Sequence, residues 1–357
     1  MSRLHAAFGF AALLLPVAAW GQQSDPGLSR FIYPNAKALI GIDWARIRQS
    51  PGGAMMRQQW LAAGPMADIP GLELLNDIDR IVISSPGKGS RDDAAGPAIL
   101  IAIHGHFNPA QVREIFTRFS AKPQSYSSFQ VYRPQGKNAQ DTAFVLFDPE
   151  TILFGDSKSI FAALDRNAFG APSQPASSLL AHAAEMDANY EFWVIMESAE
   201  IMSNDQVAAL FRGGEWISEA QGFEAGINLR AGLAADVTVR FSSDATAKHV
   251  TAELTRVINL ASKDKKAGAP LQDIAKKVKF SLDGSSAKIS LRLTQQELEK
   301  SAQAFAESHK ASARLAVNAS PVSNSASVSK IVDKPAVIRI EGLDEGTREI
   351  PFEGAQH

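Results

Sequence analysis

Cysteine is absent from the 357-residue chain. That absence excludes disulfides, thiol nucleophiles, Cys-ligated zinc, iron–sulfur clusters and thiol exchange, and it leaves burial to supply the stability. A chain of this size buries about three quarters of its unfolded surface, so crosslinks are dispensable. A surplus of either charge is absent as well, since 36 Lys and Arg stand against 38 Asp and Glu. With both signs interspersed, the chain lacks the clustered cations that neutralise phosphates, and nucleic acid is not an expected partner. After the N-terminus no apolar run approaches the roughly 20 residues of a spanning helix. Stretches such as Ala98 to Ile103 are soon interrupted, so no integral membrane segment is expected in the mature chain.

Catalytic signatures are missing too. There is no Gly-x-Ser-x-Gly elbow, no His-Glu-x-x-His pair and no Ser-x-x-Lys motif with its companion elements. The segment Ser84-Ser85-Pro86-Gly87-Lys88-Gly89-Ser90 lacks the Walker spacing of Gly, four residues, then Gly-Lys-Ser/Thr before a helix, and reads as a hairpin loop. The expectation is a protein that is not an enzyme and holds no cofactor.

What is present begins with an export signal. Arg3 and His5 precede an apolar stretch from Ala6 to Trp20, and Ala19 and Gly21 place small residues at the third and first positions before a cut. The expected signal peptide is 1–21, with the mature chain starting at Gln22 and a periplasmic or secreted location. No cysteine stands at the cut, so a lipoprotein anchor is excluded.

The mature chain, with 45% hydrophobic residues, repeats one local plan of strand, cap residue and amphipathic helix. Ala98 to Gly105 leads through Asn108-Pro109 to Val112, Ile115, Phe116 and Phe119 at helical spacing. Ala235 to Phe241 leads through Ser243-Asp244 to Val250, Leu254, Val257, Ile258 and Ala261. Ala287 to Leu293 leads through Thr294 and Glu297, a capping box, to Leu298, Ala302 and Phe305. Thr151 to Gly155 leads through Asp156 to Ile160, Phe161 and Leu164. Hairpins intervene at Arg230-Ala231-Gly232 and at Asp283-Gly284-Ser285-Ser286, and strands from Phe129, Thr142 and Thr151 read as a meander.

The shared element order predicts an α+β fold of two similar units, an internal duplication of mostly antiparallel sheet with packed helices. The expected boundaries are 22–171 and 172–310, meeting near Ala171-Pro172-Ser173-Gln174-Pro175. A Ser-rich linker over 311–334 then leads to a tail, 335–357, that reads as a tethered β-hairpin turning at Gly342-Leu343-Asp344-Glu345-Gly346. An isolated hairpin is marginal in water, so this one is expected to pair with a sheet edge.

Several side chains qualify as site candidates and each has a plainer reading. His104 and His106 alternate on a strand end at a spacing that lets two imidazoles share a metal, but a third ligand is lacking and no metal is expected. His182, His249 and His309 stand singly. Asp77 with Asp79, Arg91-Asp92-Asp93, and Asp148 with Glu150 fall where turns favour Asp for its backbone hydrogen bonds. Lys263, Lys265, Lys266, Lys276, Lys277 and Lys279 form the one basic concentration, diluted by Asp264 and Asp273, and read as a solvated helix end. Trp44, Trp60, Trp193 and Trp216 read as core.

The runs Phe31-Ile32-Tyr33-Pro34-Asn35-Ala36-Lys37-Ala38-Leu39-Ile40-Gly41-Ile42-Asp43, Asp77-Ile78-Asp79-Arg80-Ile81 and Phe147-Asp148-Pro149-Glu150-Thr151-Ile152-Leu153-Phe154-Gly155-Asp156 resemble, over the N-terminal half, a family of exported bacterial proteins described as a domain of unknown function. The resemblance implies a bacterial source and an envelope location, and carries no catalytic residue. The leading expectation is a non-catalytic envelope protein that binds a protein partner through its hairpin, with Val337, Ile338, Arg339, Ile340, Ile350 and Phe352 as the binding residues. The alternative is an envelope hydrolase or a small-ligand or glycan binder using a cleft between the two units.

Overall fold

The structure is a computed structural model that describes residues 27–54, 72–87, 98–135, 141–168, 177–197, 219–263, 269–304, 337–340 and 348–351. The fold is α+β, and the chain divides into two compact units, 1–306 and 307–357.

The first unit is built on one twelve-stranded sheet. In chain order its strands are β1 (Ala38–Asp43), β2 (Ile78–Ser85), β3 (Leu100–Gly105), β4 (Ala121–Tyr126), β5 (Phe129–Pro134), β6 (Thr142–Asp148), β7 (Thr151–Asp156), β8 (Phe192–Met196), β9 (Ala220–Asn228), β10 (Leu233–Phe241), β11 (Lys279–Asp283) and β12 (Ser286–Leu293). Across the sheet they run β11-β12-β10-β9-β8-β1-β2-β3-β7-β6-β5-β4, and each neighbouring pair is antiparallel.

Both faces of the middle strands are covered, which is why those strands read as near-continuous apolar runs. On one face lie the helices Ser157–Ala168 and Ser177–Asn189, packed on Val145 and Leu153 and on Leu39, Trp193 and Ile195 respectively. On the other lie Pro109–Arg118, against Ile152 and Tyr132, and Asp244–Ala261, against Val194, Val239 and Ala287. Adjacent residues thus divide between faces, as Ile152 and Leu153 do.

The helix starts follow local chemistry. Asn108 Oδ1 accepts from the amides of Ala110 and Gln111, and Ser243 Oγ accepts from the amide of Thr246. The capping box is formed, with the Thr294 amide donating to Glu297 Oε2 at 2.9 Å and the Glu297 amide to Thr294 Oγ1 at 3.4 Å. Asp156 accepts from the amide of Ser159 ahead of its helix. Gly284 turns β11 into β12 at φ +54°, a left-handed conformation that suits glycine.

The strands on either side of the expected boundary at 171/172 meet in the centre of the sheet. There β1 and β8 pair in the register Ala38 to Met196, Ile40 to Val194 and Ile42 to Phe192. Outward from that seam the connections repeat. On one side the order is β1-β2-β3-β7-β6, on the other β8-β9-β10-β12-β11. In each set a bulge interrupts pairing at the start of the second strand, between Ile78 and Arg80 on β2 and between Ala220 and Gly222 on β9. In each set the helix after the third strand lies on the same face, because Ile40 and Ile81, which share a face by register, pack with Asp244–Ala261 and with Pro109–Arg118 respectively.

The second unit contains β13 (Val337–Ile340) and β14 (Arg348–Pro351), paired antiparallel in a separate two-stranded sheet. No helix of the described residues is long and apolar enough to cross a membrane. The signal segment, the linker 311–334, Trp60, Trp216, Arg91-Asp92-Asp93, Lys88-Gly89-Ser90, Lys265-Lys266, His309, the turn 342–346 and Phe352 lie outside the described residues.

Candidate functional site

In the second unit Val337 stands opposite Pro351, Ile338 opposite Ile350, Arg339 opposite Glu349, and Ile340 opposite Arg348. The register brings five of the six sequence-derived binding residues, Val337, Ile338, Arg339, Ile340 and Ile350, into one element; the sixth, Phe352, lies just past its end and outside the described residues. A two-stranded sheet has an outer edge on each strand, where backbone amides and carbonyls can accept another strand.

The first unit holds a charged cluster that no motif announces. Asp43, at the end of β1, is 3% exposed, and Glu191, just before β8, is fully buried. Asp43 accepts from the Arg46 amide at 2.8 Å, from Arg46 Nε at 2.6 Å and from an Arg80 Nη at 3.1 Å. The same Arg80 nitrogen donates to Asp187 Oδ2 at 2.8 Å, whose other oxygen accepts from Trp193 Nε1 at 3.2 Å. Glu191 accepts from the Leu229 amide at 2.7 Å and from Arg230 Nε at 2.6 Å, with Arg46 Nη1 at 3.8 Å. Burial alone would raise the Asp43 pKa, but the hydrogen bonds and charge of Arg46 and the bond from Arg80 outweigh it and hold the carboxyl below its ordinary value. The charges of this cluster satisfy one another across the β1–β8 seam. It is built to hold the two strand sets together, and presents no free nucleophile or base.

A second cluster, also missed in the sequence, joins Tyr33, Ser159 and Asp156. The Tyr33 and Ser159 hydroxyls hydrogen-bond each other, and Ser159 Oγ donates to Asp156 Oδ2. Burial pushes the Tyr33 phenol up to about 12. A phenol held protonated that strongly cannot serve as a base near neutral pH, and Asp156 is engaged as a helix cap. The one available signal was the Asp-x-x-Ser spacing at the head of the helix.

The candidates named from sequence disperse. His106 Nε2 faces Asp79 at 3.6 Å, and His104 Nε2 faces Glu150 at 4.0 Å. No group of three metal-ligating side chains occurs among the described residues. Asp148 accepts from the Glu150 amide in the expected turn, whereas Asp79 sits at the β2 bulge and pairs with Arg48 at 3.1 Å. His182 faces Glu224 and His249 faces Glu253. In the basic concentration Lys276 pairs with Asp273 at 3.0 Å and Lys277 with Glu297 at 2.5 Å. Lys277 and Glu297 border a groove of about 320 Å³ that also takes in Asn228, Gly232, Arg292 and Thr294; Arg292 in turn pairs with Asp236. Trp193 is core, and Trp44 donates Nε1 to the Leu75 carbonyl at 2.7 Å.

No protein-family model matches the chain, and no curated protein does. Two solved structures have some likeness to it. Crystal form I of TP0453 aligns with a TM-score of 0.49 at 11% identity, covering 79% of this chain and 98% of that one. Crystal form IV of TP0453 aligns at 0.47 and 9% identity, covering 76% of this chain and 94% of that one.

Proposed function

We propose that this is an exported, non-catalytic protein of the bacterial envelope that binds a protein partner through its C-terminal hairpin. The observation that carries the reading is the separate two-stranded sheet. Its strands pair with each other in a defined register, they form a sheet of their own among the described residues, and two strands alone are marginal without a third. A partner strand laid along one edge supplies the missing backbone pairing, and Ile338 and Ile350, opposite one another, mark the apolar register position. The signal segment supplies the route out of the cytoplasm.

A proline at Arg339 tests the mechanism, because it removes a strand amide and fixes φ while leaving the twelve-stranded sheet untouched. The variant is expected to lose partner capture. Retained capture would move binding to another surface.

We further infer that the twelve-stranded sheet descends from duplication of a five-strand unit. The same pairing order, the matching bulges on β2 and β9, and the equivalent placement of the helix after the third strand support it. In this reading β4 and β5 are an insertion into the first copy.

A further inference from the structure

The two edges of the twelve-stranded sheet differ. The β4 edge carries Pro123, which has no amide to offer, in the polar run Lys122-Pro123-Gln124-Ser125. The opposite edge, β11, reads Lys279-Phe280-Ser281-Leu282-Asp283. It has no proline, pairs with β12 without a bulge, and is exposed at every position but Phe280. Leu282 is 45% exposed. Such an edge is a template for another strand.

The β11 sequence identifies one that fits. Read backwards, its residue classes complement themselves. In an antiparallel pair of two β11 strands centred on Ser281, Lys279 stands opposite Asp283 of the second copy, Phe280 opposite Leu282, and Ser281 opposite itself. The faces agree with that register. Leu282 pairs with Ala287, which belongs to the core under the Asp244–Ala261 helix, so Phe280 and Leu282 lie on the helix-covered face. Lys279, Ser281 and Asp283 lie on the other face, with the exposed Lys288, which already pairs with Asp283 at 2.7 Å. Oppositely charged pairs would thus sit on the polar face and apolar pairs on the helix side, which is what cross-strand pairing rewards.

We infer that β11 is a self-association edge, at which two copies of this chain pair about a two-fold axis through Ser281 and join their sheets. The pairing is isologous and closes, so it gives a dimer and not a filament. Five residues per copy bury far less than a permanent dimer needs, so the dimer is weak, with a dissociation constant in about the micromolar range or above. This inference is independent of the hairpin.

The test uses the full mature chain, whose freedom from cysteine makes single-site crosslinking clean. In Ser281→Cys the two sulfurs face each other across strands whose Cα atoms are about 4.5 to 5.5 Å apart, within disulfide reach, so mild oxidation links the copies. In Lys279→Cys the symmetry mates are ~13 Å apart and do not link. By sedimentation velocity, Lys279→Asp and Asp283→Lys each weaken self-association by about tenfold or more. Mixing the two variants restores the dimer, because every facing pair is then of opposite charge. A wild type that stays monomeric, a Lys279→Cys variant that crosslinks as readily as Ser281→Cys, or a mixture no stronger than its components would overturn the assignment.

Discussion

The indole of Trp193, on β8, lies across Gly41, on β1, so closely that a Cβ on Gly41 would fall 2.2 Å from Trp193 Cε2. The two residues are register partners at the centre of the sheet. Trp193 is 4% exposed and its Nε1 is fixed on Asp187, so the ring has no room to yield. The joint between the two strand sets therefore rests on a residue with no side chain.

Gly41→Ala should accordingly destabilise the protein by about 2 to 3 kcal/mol, the cost of overpacking a filled core. Urea unfolding followed by Trp fluorescence measures it. A midpoint equal to that of the wild type would mean that the ring can move.

Glu191 should be a sensitive charge at the seam. Glu191→Ala strands the Leu229 amide and uncouples Arg46 and Arg230 from a fully buried carboxylate, at an expected cost of about 3 kcal/mol or more. Arg230→Ala leaves that buried carboxylate with the Leu229 amide and Arg46 at 3.8 Å, so it should cost about as much although Arg230 itself is half-exposed. The ratio of the two losses in the same urea experiment is the check.

The pH limits follow from the two clusters and from Tyr190, whose hydroxyl donates to Asp236 Oδ2 at 3.0 Å. The Asp43 pKa is lowered on folding, so its contribution is complete above its ordinary value of 3.8 and is lost as pH falls through the folded value beneath it. Asp43→Asn should therefore be less stable than the wild type at neutral pH, with the gap closing below about pH 3.8. Tyr33 and Tyr190 are raised to about 12, chiefly by burial, so the stability tied to their neutral form is present below 10.0 and lost as pH rises through about 12. In a phenolate absorbance titration Tyr33→Phe and Tyr190→Phe should each remove one tyrosine from the late step.

Export predicts a processed N-terminus. Mass spectrometry of the protein recovered from the envelope of an exporting host should give a chain beginning at Gln22. A chain retaining Met1 would contradict export by cleavage.

Short-range chemistry made much of the fold readable. The caps at Asn108, Asp156, Ser243 and Thr294 each need a side chain within three residues of its amide, and all four helix starts were visible. Strands β6 and β7 and β9 to β12 showed themselves by apolar alternation around tight turns. Strand β4 did not, because Lys122 to Ser125 are exposed on both faces and leave no period to detect. The seam was invisible for a different reason. Asp43, Arg80 and Glu191 meet only because β1 pairs with β8 across more than a hundred intervening residues, and no local pattern encodes that register. Lys277, read as a solvated cation, instead fastens the Glu297 of the capping box.

Partner binding by the hairpin is open to direct measurement. Affinity capture from envelope extract should be run side by side with the mature chain from Gln22 and with a version ending at Lys310. A specific partner is expected on the full chain and is lost from the shortened one if the hairpin is the binding element. Equal capture by both would contradict it.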